Sequence, residues 1–531
     1  MSNKFIKPLR VKDLLDNPDN YIDKTITIGG WIQSVRTQGS KTQDKLIYFC
    51  PLSDGSSYKT LQLVFDTSKI EEPEAKESLE IFLKKLGSHV SGSFKGVIVK
   101  SPATEQPIEL LVYQVFDPQF VDYDKYPLSG KKFTLEYLRQ YPHLKSAVRA
   151  PQYIQRIRSQ LAYEVHKFFQ ERDFSYLHTP LITDSDCEGG GETFQVVPSS
   201  QALKQIHQDA VETIDKDVYS KFFGQPVYLT VSGQLQGETY ATQGMSAIYT
   251  FGPTFRADPS MTTRHLAEFW MIEPEVAFVK LSQMMDLAED FVKHLLTSVI
   301  SKYQDELNFL ENSRQEHQEK DNQDTLSHID KLKNIVEKDF VRIRYTEAID
   351  IFEKDLQEHK IRILPENLSP EDTKQFYKKH QKKQTIFKTK PYWGIDLSSE
   401  HEKYLTDKVF CCPVFITHYP KKIKAFYMRQ APSEFDYQGE PTVEAYDLLV
   451  PNIGELIGGS IREERLDILQ ATMDKLGLTE QLDWYLDTRR FRSVPHGGFG
   501  LGFERMVMLA TGTESIRDVI PYPRYLGHCK T

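Results

Sequence analysis

FRADPSMTTRHLAEFWMIEPE, residues 255–275, reads as two strand-like arms around a polar loop of about six residues, the pattern of an antiparallel hairpin. Charge crowds the mouth of that loop, at Arg256, Arg264 and His265. On the returning arm His265, Phe269 and Glu273 share parity, and strand side chains alternate faces, so all three are expected to look into one site. At roughly 3.3 Å per residue, Phe269 and Glu273 lie about 13 Å apart. One end then offers a ring on which a flat base can stack, the other a carboxylate. Taken alone, two arginines with alternating aromatics describe a solvated sheet edge. The stretches around it change that reading.

The chain has 531 residues, enough for two or three domains with a large core. Its apolar (39%) and charged (27%) fractions are those of an ordinary globular protein, and no apolar run approaches a membrane span. The N-terminal MSNKFIKPLRVKDLL lacks the apolar core and cleavage site of a signal peptide. Five cysteines show neither a CxxC pair nor zinc-site spacing, so a reducing, cytoplasmic setting is expected. A net charge of −9 excludes a generally basic nucleic-acid binder. The first 145 residues are nonetheless slightly positive, which permits a local polyanion surface there.

Between about 22 and 120 the runs TITIGGWIQSV, LIYFC, LQLVFD, HVSGSFKGVIV and IELLVYQVF read as five strands, with one amphipathic helix near 71–86. That is the signature of an OB-type β-barrel, a fold that binds single-stranded nucleic acid on exposed aromatics, with Tyr48, Phe49 and Gln62 as candidates. Prolines and a glycine at 121–150 mark a hinge. From Pro151, the stripe Ile154, Ile157, Leu161, Val165 and Phe168 predicts a helix. FSYLHTPLIT follows as a strand-like run whose Pro180 assigns it to an edge, open to another subunit. In DSDCEGGGETFQVV, three glycines would let Glu188 swing towards a bound ammonium group. YLTVSGQLQGETYA reads as a strand leading into a helix, with Ser232 and Gln234 at the strand end. Charged insertions are expected near 301–340 and 365–390, the second studded with lysines.

Three separated stretches share a logic. GLGFER (500–505) brings Gly500 and Gly502 where backbone can approach a flat ligand, with Arg505 opening a helix beside them. Glu455 and Arg462 flank two glycines in GELIGGSIR. Together with the hairpin these resemble motifs 2 and 3 of class II aminoacyl-tRNA synthetases, and the TP of HTPLIT resembles motif 1. SDCEGGGETFQV, LTVSGQLQGETYA, TRHLAEFWMIEPE, YWGIDLSSEHEKYL, IKAFYMR, GELIGGSIREERLD and VPHGGFGLGFER narrow the resemblance to the asparaginyl group of that class, in its bacterial-type form. It covers nearly the whole chain from about residue 22.

The resemblance implies an α+β fold: an OB-type anticodon barrel (1–120), a hinge, and a class II antiparallel sheet flanked by helices (151–531). It also implies a homodimer through motif 1 and ATP-dependent ligation of L-asparagine to its tRNA through an asparaginyl-adenylate. Arg256 would hold the α-phosphate with its planar fork. Arg264 and His265 would hold the outer phosphates, Phe269 and Arg505 would sandwich adenine, and Gly502 and Asp258 would stand beside the nucleotide. Glu455, with Asp447, would ligate Mg²⁺ through hard oxygens. Glu188 and Gln234 would take the α-amino group, while Glu273 and Arg462, beside Ser232, would read the side chain. Aspartyl relatives carry lysine where this chain has Gly237 and aspartate where it has Glu273. An aspartate substrate would therefore meet Glu273 with like charge and no offsetting lysine, a penalty of several kcal/mol, or roughly a thousandfold. Asp258 departs from the glutamate usual in the family, and Gly458 from the serine of aspartyl relatives. The rivals are an aspartyl enzyme, a tRNA-independent amide synthetase on the same core, and a non-catalytic RNA-binding relative.

Overall fold

The computed structural model describes residues 7–40, 45–70, 72–104, 106–129, 133–184, 193–198, 220–260, 262–315, 326–381 and 383–530. The chain divides into two compact units, Met1–Tyr153 and Ile154–Thr531.

The first unit is built on β1 (Thr25–Ile32), β2 (Arg36–Ser40), β3 (Lys45–Ser53), β4 (Leu61–Asp66), β5 (Ser91–Lys100) and β6 (Ile108–Gln119), with a helix at Pro73–Lys84. Alternation puts Ile28 and Ile32, Cys50 and Leu52, Leu61, Leu63 and Phe65 inside. The order β1-β5-β6-β4-β3 closes when Trp31 and Ile32 pair with Ser53 and Leu52, which leaves no open edge in the ring. The sequence reading has five strands; β2 is a sixth, hairpinned onto β3 through the polar RTQGS run, which carries no apolar alternation to announce it. Residues 121–150, expected as a hinge, belong to this unit and hold short helical turns at Leu135–Leu138 and Lys145–Ala147.

The second unit is an eight-stranded sheet. Its strands are β7 (Ser175–Tyr176), β10 (Ala247–Phe255), β11 (Glu268–Ala277), β12 (Val341–Arg344), β15 (Val414–Pro420), β16 (Thr442–Val450), β17 (Gly454–Ile461) and β18 (His496–Gly502). They run in the order β12-β15-β16-β17-β18-β11-β10-β7, antiparallel except for the parallel pairs at either edge. Two small pairs lie apart: β8 (Ile182–Thr183) with β9 (Tyr228–Leu229), and β13 (Ile361–Ile363) with β14 (Thr385–Phe387).

The Arg149–Gln170 helix buries the expected stripe, and with the Leu281–Lys302 helix it covers one face of the sheet, where Phe168 and Phe169 meet Phe291 at 4.9 and 4.8 Å. The opposite face is left to the cavity. Pro180 breaks the run expected as one edge strand into β7 and β8, because it has no N–H to give a ladder. The hairpin loop also exceeds the expected six or so residues. Ladder pairing stops at Phe255–Glu268, after which Pro259 and the turn in which the Ser260 N–H donates to Asp258 divert the backbone. The charged 301–340 region carries helices Gln304–Gln315 and His328–Glu337. The lysine-studded one carries the Pro370–His380 helix, which buries no residue. Among the described residues no helix is long and apolar enough to cross a membrane.

Candidate active site

Register on β11 turns Phe269, Met271, Glu273 and Glu275 to one face, against Thr254 and Thr250 of β10. With β17, β18 and the start of the Phe503–Thr511 helix they line a cavity of about 370 Å³. Ser232, Gln234, Arg256, Asp258, Arg264, His265, Phe269, Glu273, Glu455, Arg462, Gly502 and Arg505 all line it. Glu188 lies outside the described residues. Tyr48, Phe49 and Gln62 belong to the barrel unit: Tyr48 packs on the barrel core, whereas Phe49 lies on the other side of β3, and Gln62 is buried with its side-chain N–H donating to Leu63 O at 3.0 Å.

At the end holding Phe269, the Arg256 guanidinium lies 5.4 Å from the ring centroid. Arg505 opens the last helix and donates to the Glu455 carbonyl at 2.8 Å and to its carboxylate at 3.3 Å. Burial works to raise the Glu455 carboxyl, but Arg505 and Lys424 outweigh it and hold it below its usual value. Lys424 lies 2.7 Å from Asp447 Oδ2 and above the Tyr419 ring. A side chain at Gly458 would meet Glu455 Oε1 at 3.1 Å and Asp447 Oδ1 at 3.5 Å, so two carboxylate oxygens face one gap. His265 Nδ1 is within hydrogen-bond reach of Ser260 and Thr262, and its Nε2 lies 3.7 Å from Asp258. Burial, with Arg505, Arg264 and Arg256 nearby, keeps this imidazole below its ordinary value against the pull of Asp258. Arg264 donates to Ser399 Oγ and lies 3.7 Å from Glu402. Burial and the Glu455 carboxylate push Glu402 up to about 7, against Arg264.

At the far end Glu273 accepts from Ser232 Oγ, from the Gly233 N–H at 2.9 Å and from Thr250 Oγ1 at 3.0 Å. Arg462 forks onto Glu275 and donates to Ser460 Oγ at 2.8 Å. Glu238, fully buried beneath them, accepts from Arg489 (3.0 Å), Tyr485 (2.6 Å) and Gln234 (3.0 Å), with His496 Nε2 at 3.0 Å. Burial opposes its ionisation, yet His496, Arg489 and Arg462 hold it well below the usual carboxylate range. Burial, with Glu238 and Glu273 nearby, pushes the Glu275 carboxyl up against the pull of Arg462. A side chain at Gly237 would meet Ile248 Cδ1 at 3.2 Å and Glu275 Cγ at 3.6 Å, and among the described residues no cation lies within 4 Å of that position.

Residues 134–526 match the family model of the class II tRNA synthetases (D, K and N). An asparagine–tRNA ligase of Treponema denticola is 42% identical over 97% of this chain and 98% of its own. The chain belongs to that class II family, in its asparagine–tRNA ligase branch. Another such ligase, from Acetivibrio thermocellus, is 43% identical over 98% of each chain. Among solved structures, the asparaginyl-tRNA synthetase of Pyrococcus horikoshii complexed with asparaginyl-adenylate aligns at 26% identity and a TM-score of 0.75, over 99% of this chain and 100% of that one.

Several side chains in and around this cavity escape sequence reading. Glu275 had a signal, since it shares parity with Glu273 two residues earlier. Glu238 had a weaker one, lying four residues from Gln234 on one helix face. Lys424, Arg489, His496, Ser399 and Glu402 arrive from distant segments, and only the folded sheet brings them together.

Proposed function

We propose that the chain ligates L-asparagine to its tRNA, consuming ATP through an asparaginyl-adenylate. One observation carries the choice of amino acid. At the side-chain end of the cavity the Glu273 carboxylate faces inward, and the Arg462 guanidinium is already forked onto the buried Glu275. A neutral carboxamide can donate to Glu273; an aspartate side chain would set a second carboxylate against it, with no cation among the described residues within 4 Å of a Cβ at Gly237 to meet it.

The reaction then follows from position and charge. A carboxylate oxygen of asparagine attacks the α-phosphorus; the P–O bond to the β-phosphate breaks, and pyrophosphate leaves with the electron pair. Arg256 steadies the charge building on the α-phosphate, and Arg264 and His265 receive the outer phosphates. Phe269 and Arg505 hold adenine between a ring and a guanidinium, with Gly502 leaving room beside it. Gln234, with Glu188, takes the α-amino group. Glu273 retains one free acceptor site for the carboxamide N–H, and Arg462 donates to its oxygen. The 3′-hydroxyl of the terminal adenosine next attacks the acyl carbon and AMP departs, the hydroxyl proton passing to a phosphate oxygen or solvent.

Mg²⁺ fits this donor set. Glu455 and Asp447 turn hard oxygens to one gap, although among the described residues no group of three metal-ligating side chains forms. That suits an ion that takes one or two carboxylates and completes its shell with phosphates and water. It would supply charge to the phosphates.

On the barrel, Phe49 is the ring available to stack an anticodon base, beside Gln62, since Tyr48 is engaged by the core. Exposed Tyr176, Leu181 and Ile182 at the β7–β8 edge support a homodimer built there, and free cysteines such as Cys50 and Cys411 support a reducing, cytoplasmic setting. Charging of tRNA with labelled asparagine tests the function. Wild type is expected to form acid-precipitable asparaginyl-tRNA, and Arg256→Ala to lose at least about a thousandfold in rate. Charging undiminished in the variant, or absent from wild type, contradicts the reading.

A further inference from the structure

YWGIDLSSEHEKYL (392–405) contributes nothing to the walls of the cavity, yet two of its side chains reach Arg264, one of the groups assigned to the outer phosphates. Ser399 Oγ accepts from Arg264 Nη1, and Glu402 Oε2 lies 3.7 Å from Nη2. That same carboxylate oxygen accepts the backbone N–H of Glu455 at 3.1 Å, so it ties the guanidinium to the start of β17. The approach is possible because residue 454 is glycine. Its φ is +85°, and a Cβ there would overlap Glu402 Oε2 and stand 3.1 Å from Arg264 Nη2.

The short Ser399–Tyr404 helix that presents both side chains is itself pinned. Glu400 accepts the N–H groups of Lys388 and Thr389 at 2.8 Å, and the buried His401 lies 2.9 Å from Thr389 O. Arg264 needs such a hold. Arg505 faces it with like charge; Glu402 and Glu455 offset this, and without the Glu402 ion pair the guanidinium is freer to swing towards solvent whenever no phosphate is bound.

We propose that Glu402, assisted by Ser399, is a positioning residue that holds Arg264 ready for the β- and γ-phosphates of ATP and for the departing pyrophosphate. It touches no substrate and acts through Arg264. The inference rests on the function proposed above, but its test does not need that function.

Binding of ATP and of AMP, each with magnesium, is measured by calorimetry on the full-length protein, wild type against Glu402→Gln. ATP is expected to weaken about tenfold and AMP by less than about twofold, because AMP has no outer phosphates for Arg264 to grip. In an Arg264→Ala background the Glu402→Gln change is expected to cost ATP nothing further. Equal losses for the two nucleotides, an unchanged ATP affinity, or full additivity with Arg264→Ala would overturn the proposal. Should Glu402→Gln not fold, Ser399→Ala gives the same contrast at about threefold, with equal losses or no loss again refuting it. Wild type that binds ATP but charges no asparagine would sink the function while leaving this clasp intact.

Discussion

In the proposed reaction amino-acid choice turns on Glu273, and its neighbours decide what a change there does. Three of its acceptor sites are filled by Ser232, Gly233 and Thr250, so it cannot rotate away from the cavity. Replacing it by glutamine keeps the shape but turns one oxygen into an amide that cannot accept. Either the Gly233 N–H and Thr250 or Ser232 then faces a donor, at about 1–3 kcal/mol for the stranded group. Glu273→Gln is therefore expected to lower kcat/KM for asparagine by about 10- to 100-fold while leaving KM for ATP near wild type, read by steady-state kinetics with each substrate varied. Equal loss on both substrates would contradict the division of the cavity into two ends. Parity along β11 suffices to turn Phe269 and Glu273 towards one cavity. What parity could not tell is how Glu273 is already spoken for. Its partners come from a strand and a turn whose register depends on the sheet, a long-range fact that local periodicity does not encode.

At the scale of elements, β18 explains why two neighbouring strands can lay charged side chains across it. A Cβ at Gly498 would fall inside the Glu275 carboxylate, which occupies that space to reach Arg462. Gly498→Ala is thus expected to displace Glu275, cost about 1–3 kcal/mol by overpacking, and cut asparagine turnover more than AMP binding. Thermal melts and nucleotide calorimetry would measure the two effects; a variant with wild-type Tm and turnover would show that Glu275 has another place to go. The helix after β18 is locked separately, since buried Glu504 bonds Arg158 at 2.7 Å and the Trp270 N–H at 2.9 Å. Helices with clear apolar stripes and the five barrel strands with apolar runs were legible in the sequence. β2, the split at Pro180 and the long hairpin loop were not, because polar turns and proline leave the ladder without changing the composition around it.

For the whole molecule, the net charge of −9 is carried by a chain of two compact units, one a barrel and the other a sheet with a charged cavity. The association expected through the β7–β8 edge is open to sedimentation equilibrium: a dimer for wild type, a monomer for the Leu181→Asp, Ile182→Asp double variant. A monomeric wild type would remove the homodimer from the account. The central claim is narrower, that this cavity activates a carboxamide amino acid and rejects the matching carboxylate. ATP–pyrophosphate exchange, run side by side with asparagine and with aspartate, tests it most directly. The Glu273 carboxylate facing the cavity, with Arg462 already engaged by Glu275, predicts exchange with asparagine favoured by roughly a thousandfold. Comparable exchange with the two amino acids, or a preference for aspartate, would contradict it.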